Sequence, residues 1–345
     1  MVEFSHLGDY IIFGCALDGI SPRRWGSAAP TSGVMKTVKL MICAAAVALA
    51  APVIAGGEGW TADFEAAKKE AAGSGKDLLV DFTGSDWCGW CIKLNKEVFQ
   101  HDEFKTGVKD GFVLVELDFP KDKSKIPAET LEQNKALGKK YGVRGYPTIL
   151  LLDAEGRPYA KTGYRKGGPE AYVTHLNELK ASRVARDEAF KKADQSEGIE
   201  KAKALVAALS SIKVDDSMIS KFYAETVAKI KELDPEDQTG YVKKGQLKER
   251  FMEFQKGFQG FARKKDWDGA MGLIDDTLES GDFKGDDAFG IKIMRVIVFA
   301  EQGKFDDAIR TLDEVNKAHP TNPMGAQVDQ LRKQLEAGAA KAAAQ

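Results

Sequence analysis

The stretch VDFTGSDWCGWCIKL, residues 80–94, decides how this chain is interpreted, because it places two cysteines three positions apart. Cys88 and Cys91 follow an apolar run and precede residues that favour a helix. A bond between cysteines so close in sequence removes little entropy from the unfolded chain, so structural stapling explains the pair poorly. We therefore expect this pair to carry chemistry.

Length and composition indicate a globular protein of about two domains. The chain has 345 residues, of which 43% are hydrophobic. Its 50 basic and 52 acidic residues are mixed throughout and give a formal net charge of −2. Nucleic-acid binding is not expected, since no segment carries the basic surface that such proteins need.

The segment MKTVKLMICAAAVALAAPVIAGG, which begins at Met35, has the pattern of a secretory signal peptide. Its charged head precedes an apolar middle, Leu40–Ala51, and small residues then permit a cut after Ala55. The apolar middle is shorter than the roughly 20 residues of a membrane span, although an uncleaved anchor is the alternative. We expect a signal peptide at 35–55, a non-native extension at 1–34, and an exported protein in the periplasm or another extracytoplasmic space. No stable membrane span is expected after cleavage.

Strand and helix patterns alternate after the signal segment, over residues 58–182. The predicted elements are a helix Trp60–Gly73, a strand Leu78–Phe82, a helix to Glu97, a strand Gly111–Phe119, a helix Ala128–Tyr141, a hairpin of Thr148–Leu152 and Ala160–Gly163, and a helix after Pro169. This order predicts an α/β domain in which the two cysteines follow the carboxyl end of a strand. Open sheets place their functional sites at that edge.

The remaining part, residues 183–340, shows helical periodicity and almost no strand signal. Segments 264–278 and 302–316 are similar to each other, with Trp267 matching Phe305 and Ala270 matching Ala308. This resembles a helix pair of the tetratricopeptide type, with a generic helical-hairpin bundle as the alternative. We expect an all-α domain that binds a partner protein or forms a dimer.

A C-x-x-C pair at a helix start is suited to thiol–disulfide exchange, which needs one ionised thiol and a second thiol close by. The amide ends and dipole of the helix would stabilise a thiolate at Cys88, with Cys91 one turn further on. A zinc site is the alternative, but it needs two further ligands and the histidines show no paired spacing. We expect no metal and no cofactor beyond the dithiol itself.

Two quoted segments, LLVDFTGSDWCGWCIKL and YGVRGYPTILLLDAEGR, resemble the thioredoxin superfamily over about Gly59–Ser182. The family pattern W-C-G-x-C, followed later by G-x-P-T, is matched by Trp87–Cys91 and Gly145–Thr148. The resemblance implies a thioredoxin-like fold, a central mixed sheet flanked by helices. It also implies an oxidoreductase that exchanges disulfides with protein substrates and a redox partner protein, as part of cell redox homeostasis.

The resemblance also assigns roles to residues. Cys88 is the nucleophile, Cys91 is the resolving thiol, and Asp81 is the buried carboxyl that takes up the proton of Cys91. The alternative to this role is that Asp81 is an ordinary aspartate at the end of a strand. The residues implied to contact substrate are Trp87, Gly89, Trp90, Tyr146 and Pro147, with Pro147 in cis.

Three departures from the family pattern surround this site. Trp90 replaces a proline common in thioredoxin, and one residue is added between Asp81 and Cys88. Glu116 stands where thioredoxin has a lysine near that carboxylate, which predicts either a further rise of the pKa of Asp81 or the loss of its partner. The loop PKDKSKIP, residues 120–127, carries lysines that either attract acidic partners or are simply solvated.

Three functions remain open on this basis. The first is an exported thiol:disulfide oxidoreductase with a helical domain for partner binding or dimerisation. The second is a non-enzymatic interaction protein in which the C-x-x-C forms a locked local disulfide. The third is a disulfide isomerase, which would need a dimer or a peptide-binding cleft.

Overall fold

The computed structural model describes residue 57, residues 59–318 and residues 325–343. The predicted signal peptide at 35–55 and the predicted extension at 1–34 lie outside the described residues. The chain divides into two compact units, with the boundary between Tyr241 and Val242. The predicted domain bounds, 58–182 and 183–340, follow the sequence pattern rather than packing, and they stay a prediction.

The first unit is built on a five-stranded mixed sheet of order β1-β3-β2-β4-β5. The strands are β1 (Trp60–Thr61), β2 (Asp77–Thr83), β3 (Phe112–Asp118), β4 (Thr148–Leu152) and β5 (Pro158–Thr162). β2 and β3 are parallel, and β4 and β5 are antiparallel to their neighbours. β2 and β3 are buried along their whole length, which explains their high content of leucine, valine and phenylalanine.

Helices cover both faces of this sheet. They are α1 (Phe64–Ser74), α2 (Gly89–Leu94), which continues as a π-helical turn (Asn95–Phe99), α3 (Asp102–Val108), α4 (Ala128–Tyr141) and α5 (Gly168–Asp194). One core includes Leu79 with Leu94 and Val98, so the helix that follows Cys88 packs on that face. The other core includes Phe64 and Val80, so α1 packs on the opposite face. The predicted α/β layers are confirmed.

Two predicted elements begin elsewhere. The helix predicted from Trp60 starts at Phe64, because Asp63 accepts a hydrogen bond from the amide of Ala66 (2.9 Å) and caps it. Trp60 instead pairs with Leu114 in β1. β5 begins at Pro158 rather than at Ala160.

The first unit ends with three further helices, α6 (Gly198–Ser211), α7 (Asp216–Phe222) and α8 (Ala224–Leu233). They are not separate from the sheet. Lys213 donates its amide to Tyr159 (2.8 Å) and accepts from the amide of Lys161 (2.9 Å), which covers the outer side of β5. An uncovered edge strand would offer its backbone groups to other chains, and this segment removes that exposure.

The second unit is all-helical over its described residues. Its helices are α9 (Tyr241–Lys264), α10 (Trp267–Glu279), α11 (Gly285–Glu301), α12 (Phe305–Ala318) and α13 (Gly325–Ala343). The two similar segments form α10 and α12, and their matched Ala270 and Ala308 are both fully buried. The predicted all-α region is confirmed.

Candidate active site

Four strand ends meet at one edge of the sheet. β2 ends at Thr83, which pairs with Asp118 at the end of β3. Phe82 pairs with Thr148 at the start of β4, and Ile149 pairs with Thr162 at the end of β5. The connections after β2, after β3 and after β5, and the connection before β4, therefore all lie at this edge.

The two cysteines lie on the first of these connections and form a disulfide, with their Cα atoms 5.2 Å apart. Cys88 is the N-cap of α2, and its Sγ accepts a hydrogen bond from the amide of Cys91 (3.2 Å). That amide is one of the unpaired donors of the first helical turn. In the dithiol form the same donor and the helix dipole would stabilise a thiolate at Cys88.

Both cysteines are buried in the disulfide, Cys88 at 6% exposure and Cys91 at 4%. The sequence reasoning expects a more exposed Cys88. The difference has a simple cause, since each sulfur covers the other once the bond has formed.

The connection before β4 contains the Tyr146–Pro147 peptide bond, which is cis. The ring of Tyr146 lies 5.5 Å from that of Trp87 and 5.3 Å from that of Phe119, measured between centroids. Thr148 fixes the far end of the turn by donating its hydroxyl to the carbonyl of Gly145 (2.8 Å). These contacts hold the Tyr146–Pro147 segment beside the connection that carries the disulfide.

Trp87 lies across the site and remains 40% exposed. Its Nε1 donates to the carbonyl of Phe119 (2.8 Å). A Cβ added at Gly84 would lie 2.6 Å from the indole ring, so this position needs a glycine. The tryptophan is thus held in place while one face stays open to solvent.

Trp90 is 56% exposed and belongs to a small cluster. Its ring lies 5.0 Å from that of Tyr164, and the Nζ of Lys93 lies 5.3 Å from the Trp90 ring and 5.1 Å from the Tyr164 ring. Tyr164 donates its hydroxyl to Glu97 (2.7 Å). Gly89, between the cysteine and Trp90, is exposed and has open space above it.

Asp81 is buried on the face of the sheet that α2 covers, two positions after Leu79. Burial raises its pKa well above the ordinary value, and the nearby Glu116 and Asp118 raise that pKa further. Glu116 is its register partner on β3 and is also buried. Within the described structure, Oδ1 of Asp81 has no hydrogen-bond partner, as expected for a carboxyl that is easily protonated.

Sequence reasoning missed three contributors to this edge. Asp118 accepts hydrogen bonds from the amide (2.9 Å) and hydroxyl (2.6 Å) of Ser85. Asp86 accepts from the amides of the loop after β3, and Tyr164 packs against Trp90. All three lie just beyond or at a strand end, which is the signal that could have found them.

No group of three or more potential ligands stands in an arrangement suited to a metal ion in the described part of the chain. None of the helices described is both long enough and apolar enough to cross a lipid bilayer.

Comparison with known proteins gives matches that are centred on this domain. A family model described as a thioredoxin-like domain matches residues 64–180. Over 101 residues the chain is 41% identical to the disulfide bond reductase DsbH of Chlamydia pneumoniae, covering 29% of this chain and 60% of DsbH. Over 104 residues it is 35% identical to the thioredoxin-related protein DsbJ of Chlamydia pneumoniae, covering 30% of each chain. A solved DsbH oxidoreductase structure matches with 35% identity and a TM-score of 0.33, covering 35% of this chain and 82% of that chain.

The chain spans less than two thirds of the length of these two curated relatives. The family match includes both the dithiol and the Tyr146–Pro147 segment. The chain thus contains a thioredoxin-like domain over residues 64–180, and this domain carries the Cys88–Cys91 disulfide.

Proposed function

We propose that this protein is a thiol:disulfide oxidoreductase that exchanges disulfides with protein substrates through Cys88 and Cys91. The main support for this proposal is the disulfide at the start of α2, where the amide of Cys91 donates a hydrogen bond to the Cys88 sulfur. The relatives named disulfide bond reductase and protein disulfide-isomerase support this activity.

In the reducing direction, the Cys88 thiolate attacks one sulfur of a substrate disulfide. A mixed disulfide forms, and the other substrate sulfur leaves as a thiolate. Cys91 then loses its proton and attacks Cys88, which releases the second substrate sulfur and closes the Cys88–Cys91 bond. Two electrons have passed to the substrate, and a redox partner protein must return them.

Asp81 is proposed to accept the Cys91 proton in the second step. Its raised pKa suits this role, because a carboxyl titrating nearer to neutrality exchanges protons readily under working conditions. The proposal needs no dissociable cofactor, since the two sulfurs carry both electrons.

The substrate chain is proposed to lie over Trp87, Gly89 and Trp90 and against Tyr146 and Pro147. The two tryptophans offer exposed rings, and Gly89 leaves room for a backbone to approach. The relative named as a reductase favours reduction as the physiological direction.

Export and partner binding complete the proposal. The signal-peptide pattern at 35–55 supports a periplasmic or other extracytoplasmic location. The all-helical region is proposed to bind a partner protein or to form a dimer, since helix pairs of this kind present extended surfaces.

The test is dithiothreitol-driven reduction of insulin, followed by turbidity, with wild type and Cys88→Ser. We expect the wild type to accelerate precipitation and Cys88→Ser to match the uncatalysed rate. A Cys91→Ser variant should instead accumulate a mixed disulfide with insulin, visible on non-reducing gels. Equal turbidity rates for wild type and Cys88→Ser would end the enzymatic proposal and favour a locked local disulfide.

Isomerase activity is a second candidate, because Trp87 and Trp90 offer exposed apolar surface beside the disulfide for binding unfolded chains. Reactivation of scrambled ribonuclease separates it from simple reduction. An isomerase restores ribonuclease activity at a fixed redox potential, whereas a reductase only lowers the number of disulfides.

A further inference from the structure

The edge of the sheet that carries the disulfide is also a basic surface. Three of its connections hold exposed cations that make no ion pair within the described residues. These cations are Lys121, Lys123, Arg144, Arg165 and Lys166.

Each of the three connections contacts a tryptophan beside the disulfide. The connection after β3 does so through Phe119, whose carbonyl accepts the Trp87 indole N–H (2.8 Å). The connection before β4 does so through Tyr146, which packs on Trp87. The connection after β5 does so through Tyr164, which packs on Trp90. The three connections that carry these cations therefore lie next to the tryptophans that flank the disulfide.

Two acidic side chains near the disulfide, Asp86 and Asp122, accept hydrogen bonds from the loop after β3. Asp86 accepts the amides of Lys121 (2.8 Å) and Asp122 (3.1 Å) and pairs with Lys125 (3.2 Å). Asp122 accepts the amide (3.1 Å) and the hydroxyl (2.6 Å) of Ser124.

Glu97 accepts the Tyr164 hydroxyl (2.7 Å) and lies 3.7 Å from the Nζ of Lys93. The deeper carboxyl groups of Asp81, Glu116 and Asp118 are buried. On the three connections, Asp122 is the exposed carboxylate without an ion pair within the described residues, against five such cations, so their net charge is positive.

The centre of this surface is apolar. Trp87 and Trp90, on either side of Cys88, are exposed by 40% and 56%. A ring of positive charge around an apolar centre complements a segment with an apolar residue beside the target cysteine and acidic residues further out. Rim charges of this kind act mainly on the rate of association.

We infer that the substrates are proteins whose disulfide lies in an acidic segment, drawn to the site by the cations on these three connections. This inference rests on the proposed function and adds its substrate class. Electrostatic steering of this kind raises association rates by about 10- to 1,000-fold and weakens with ionic strength.

The test uses three peptides with the same core, Phe-Cys-Leu, each prepared as a symmetric disulfide. Their flanks are two glutamates, two glutamines or two lysines on each side. Each peptide is mixed with the reduced full-length protein, and the exchange rate is followed by tryptophan fluorescence. The rate of each peptide with dithiothreitol, a neutral thiol, corrects for differences in intrinsic reactivity.

We expect the corrected rates to fall in the order Glu, Gln, Lys, with at least about a tenfold difference between the first and last at low salt. The three rates should converge in about 0.5 M salt, where charges are screened within a few ångströms. Equal rates for the Glu and Gln peptides at low salt would overturn the inference while leaving the oxidoreductase proposal standing. Failure of the protein to react with all three would instead overturn the oxidoreductase proposal.

Charge-reversal variants locate the effect. The variant Lys121→Glu/Lys123→Glu leaves Lys125 and its pair with Asp86 in place. Its matched control, Lys69→Glu/Lys109→Glu, makes the same change of net charge on α1 and at the opposite edge of the sheet.

The first variant should slow the Glu peptide to the rate of the Gln peptide and leave the Gln peptide unchanged. The control should keep the preference for the Glu peptide, and equal losses of that preference in both variants would overturn the inference.

Binding to vesicles of phosphatidylglycerol and phosphatidylcholine is a further experiment. Binding to these vesicles that is lost in Lys121→Glu/Lys123→Glu, without any peptide preference, would assign the basic surface to a membrane and overturn the protein-substrate inference.

Discussion

At the scale of single residues, Asp81 shows how a buried carboxyl group opposes stability. Its carboxyl lies under the helix of the two cysteines, and burial with two further acidic groups raises its pKa. A charged form there is costly because the low-dielectric surroundings do not solvate it. The fold retains an ionisable carboxyl with a raised pKa at a buried position, which is typical of functional sites.

Asp81→Asn should therefore stabilise the oxidised protein at neutral and alkaline pH. A raised folded pKa means that the folded protein binds the proton more tightly than the unfolded chain does. Stability is then highest below the unfolded value of 3.8 and falls as the pH rises through the window up to the folded pKa. Each unit of pKa difference is worth about 1.4 kcal/mol.

Urea denaturation of wild type and Asp81→Asn near pH 8 and near pH 4 measures this effect. We expect the variant to be the more stable near pH 8 and the difference to shrink near pH 4. Asp110→Asn, at an exposed carboxyl, controls for the loss of one negative charge. A variant less stable than wild type near pH 8 would show that the Asp81 charge is compensated in the folded protein.

At the scale of elements, the loop after β3 owes its position to one side chain. Asp86 accepts two successive amides of that loop and pairs with Lys125. These hydrogen bonds lower its pKa to about 2. Asp86 is thus ionised at neutral pH and holds the lysine-containing loop against the connection of the two cysteines.

Asp86→Ala should release this loop. The amides of Lys121 and Asp122 lose their acceptor, so their hydrogen exchange at neutral pH should become several-fold faster. Asp122→Ala is the matched control, since it removes only the local acceptor of Ser124. Unchanged exchange at both amides in Asp86→Ala would mean that the loop is held by other contacts.

The elements themselves were largely predictable from the sequence. Helix Ala128–Tyr141 has the predicted bounds. β2 is one residue longer at each end than predicted, and β3 is one residue shorter at each end. The strand at Trp60 was missed, because a pair of residues is too short to show any periodicity. The contacts of Asp86 and Tyr164 were also missed, since they join loops that are distant in sequence.

At the scale of the whole first unit, α5 connects the sheet to the helices that follow it. Arg186 on this helix is 1% exposed, and its Nη1 lies 3.0 Å from the buried Oδ2 of Asp153 and 2.8 Å from the hydroxyl of Tyr223. Tyr223 in turn donates to the carbonyl of Pro158 (3.1 Å). One buried guanidinium thus joins the turn after β4 to the region between α7 and α8.

The packing of residues 183–241 against the sheet was beyond the reach of the sequence patterns. Helical periodicity predicts a helix but does not identify the surface on which the helix packs. A buried arginine also has no sequence signal, because arginine is usually exposed. The predicted change from α/β to helical character near residue 183 lies inside α5, which continues to Asp194.

Arg186→Met should therefore destabilise the first unit strongly, by about 3–5 kcal/mol, because it leaves Tyr223 without its donor and the buried Asp153 with only the half-exposed Arg157 as a cation. The same carboxylate supplies a matched control, since Arg157 also lies 3.0 Å from its Oδ2 but is 46% exposed. Arg157→Met should cost less than about 1 kcal/mol. Urea denaturation of the two variants, followed by circular dichroism, gives both values. Adding Asp153→Asn to Arg186→Met should recover part of the lost stability by removing the buried negative charge. Equal losses for the two single variants, Arg186→Met and Arg157→Met, would contradict a buried link between the sheet and the helices after it.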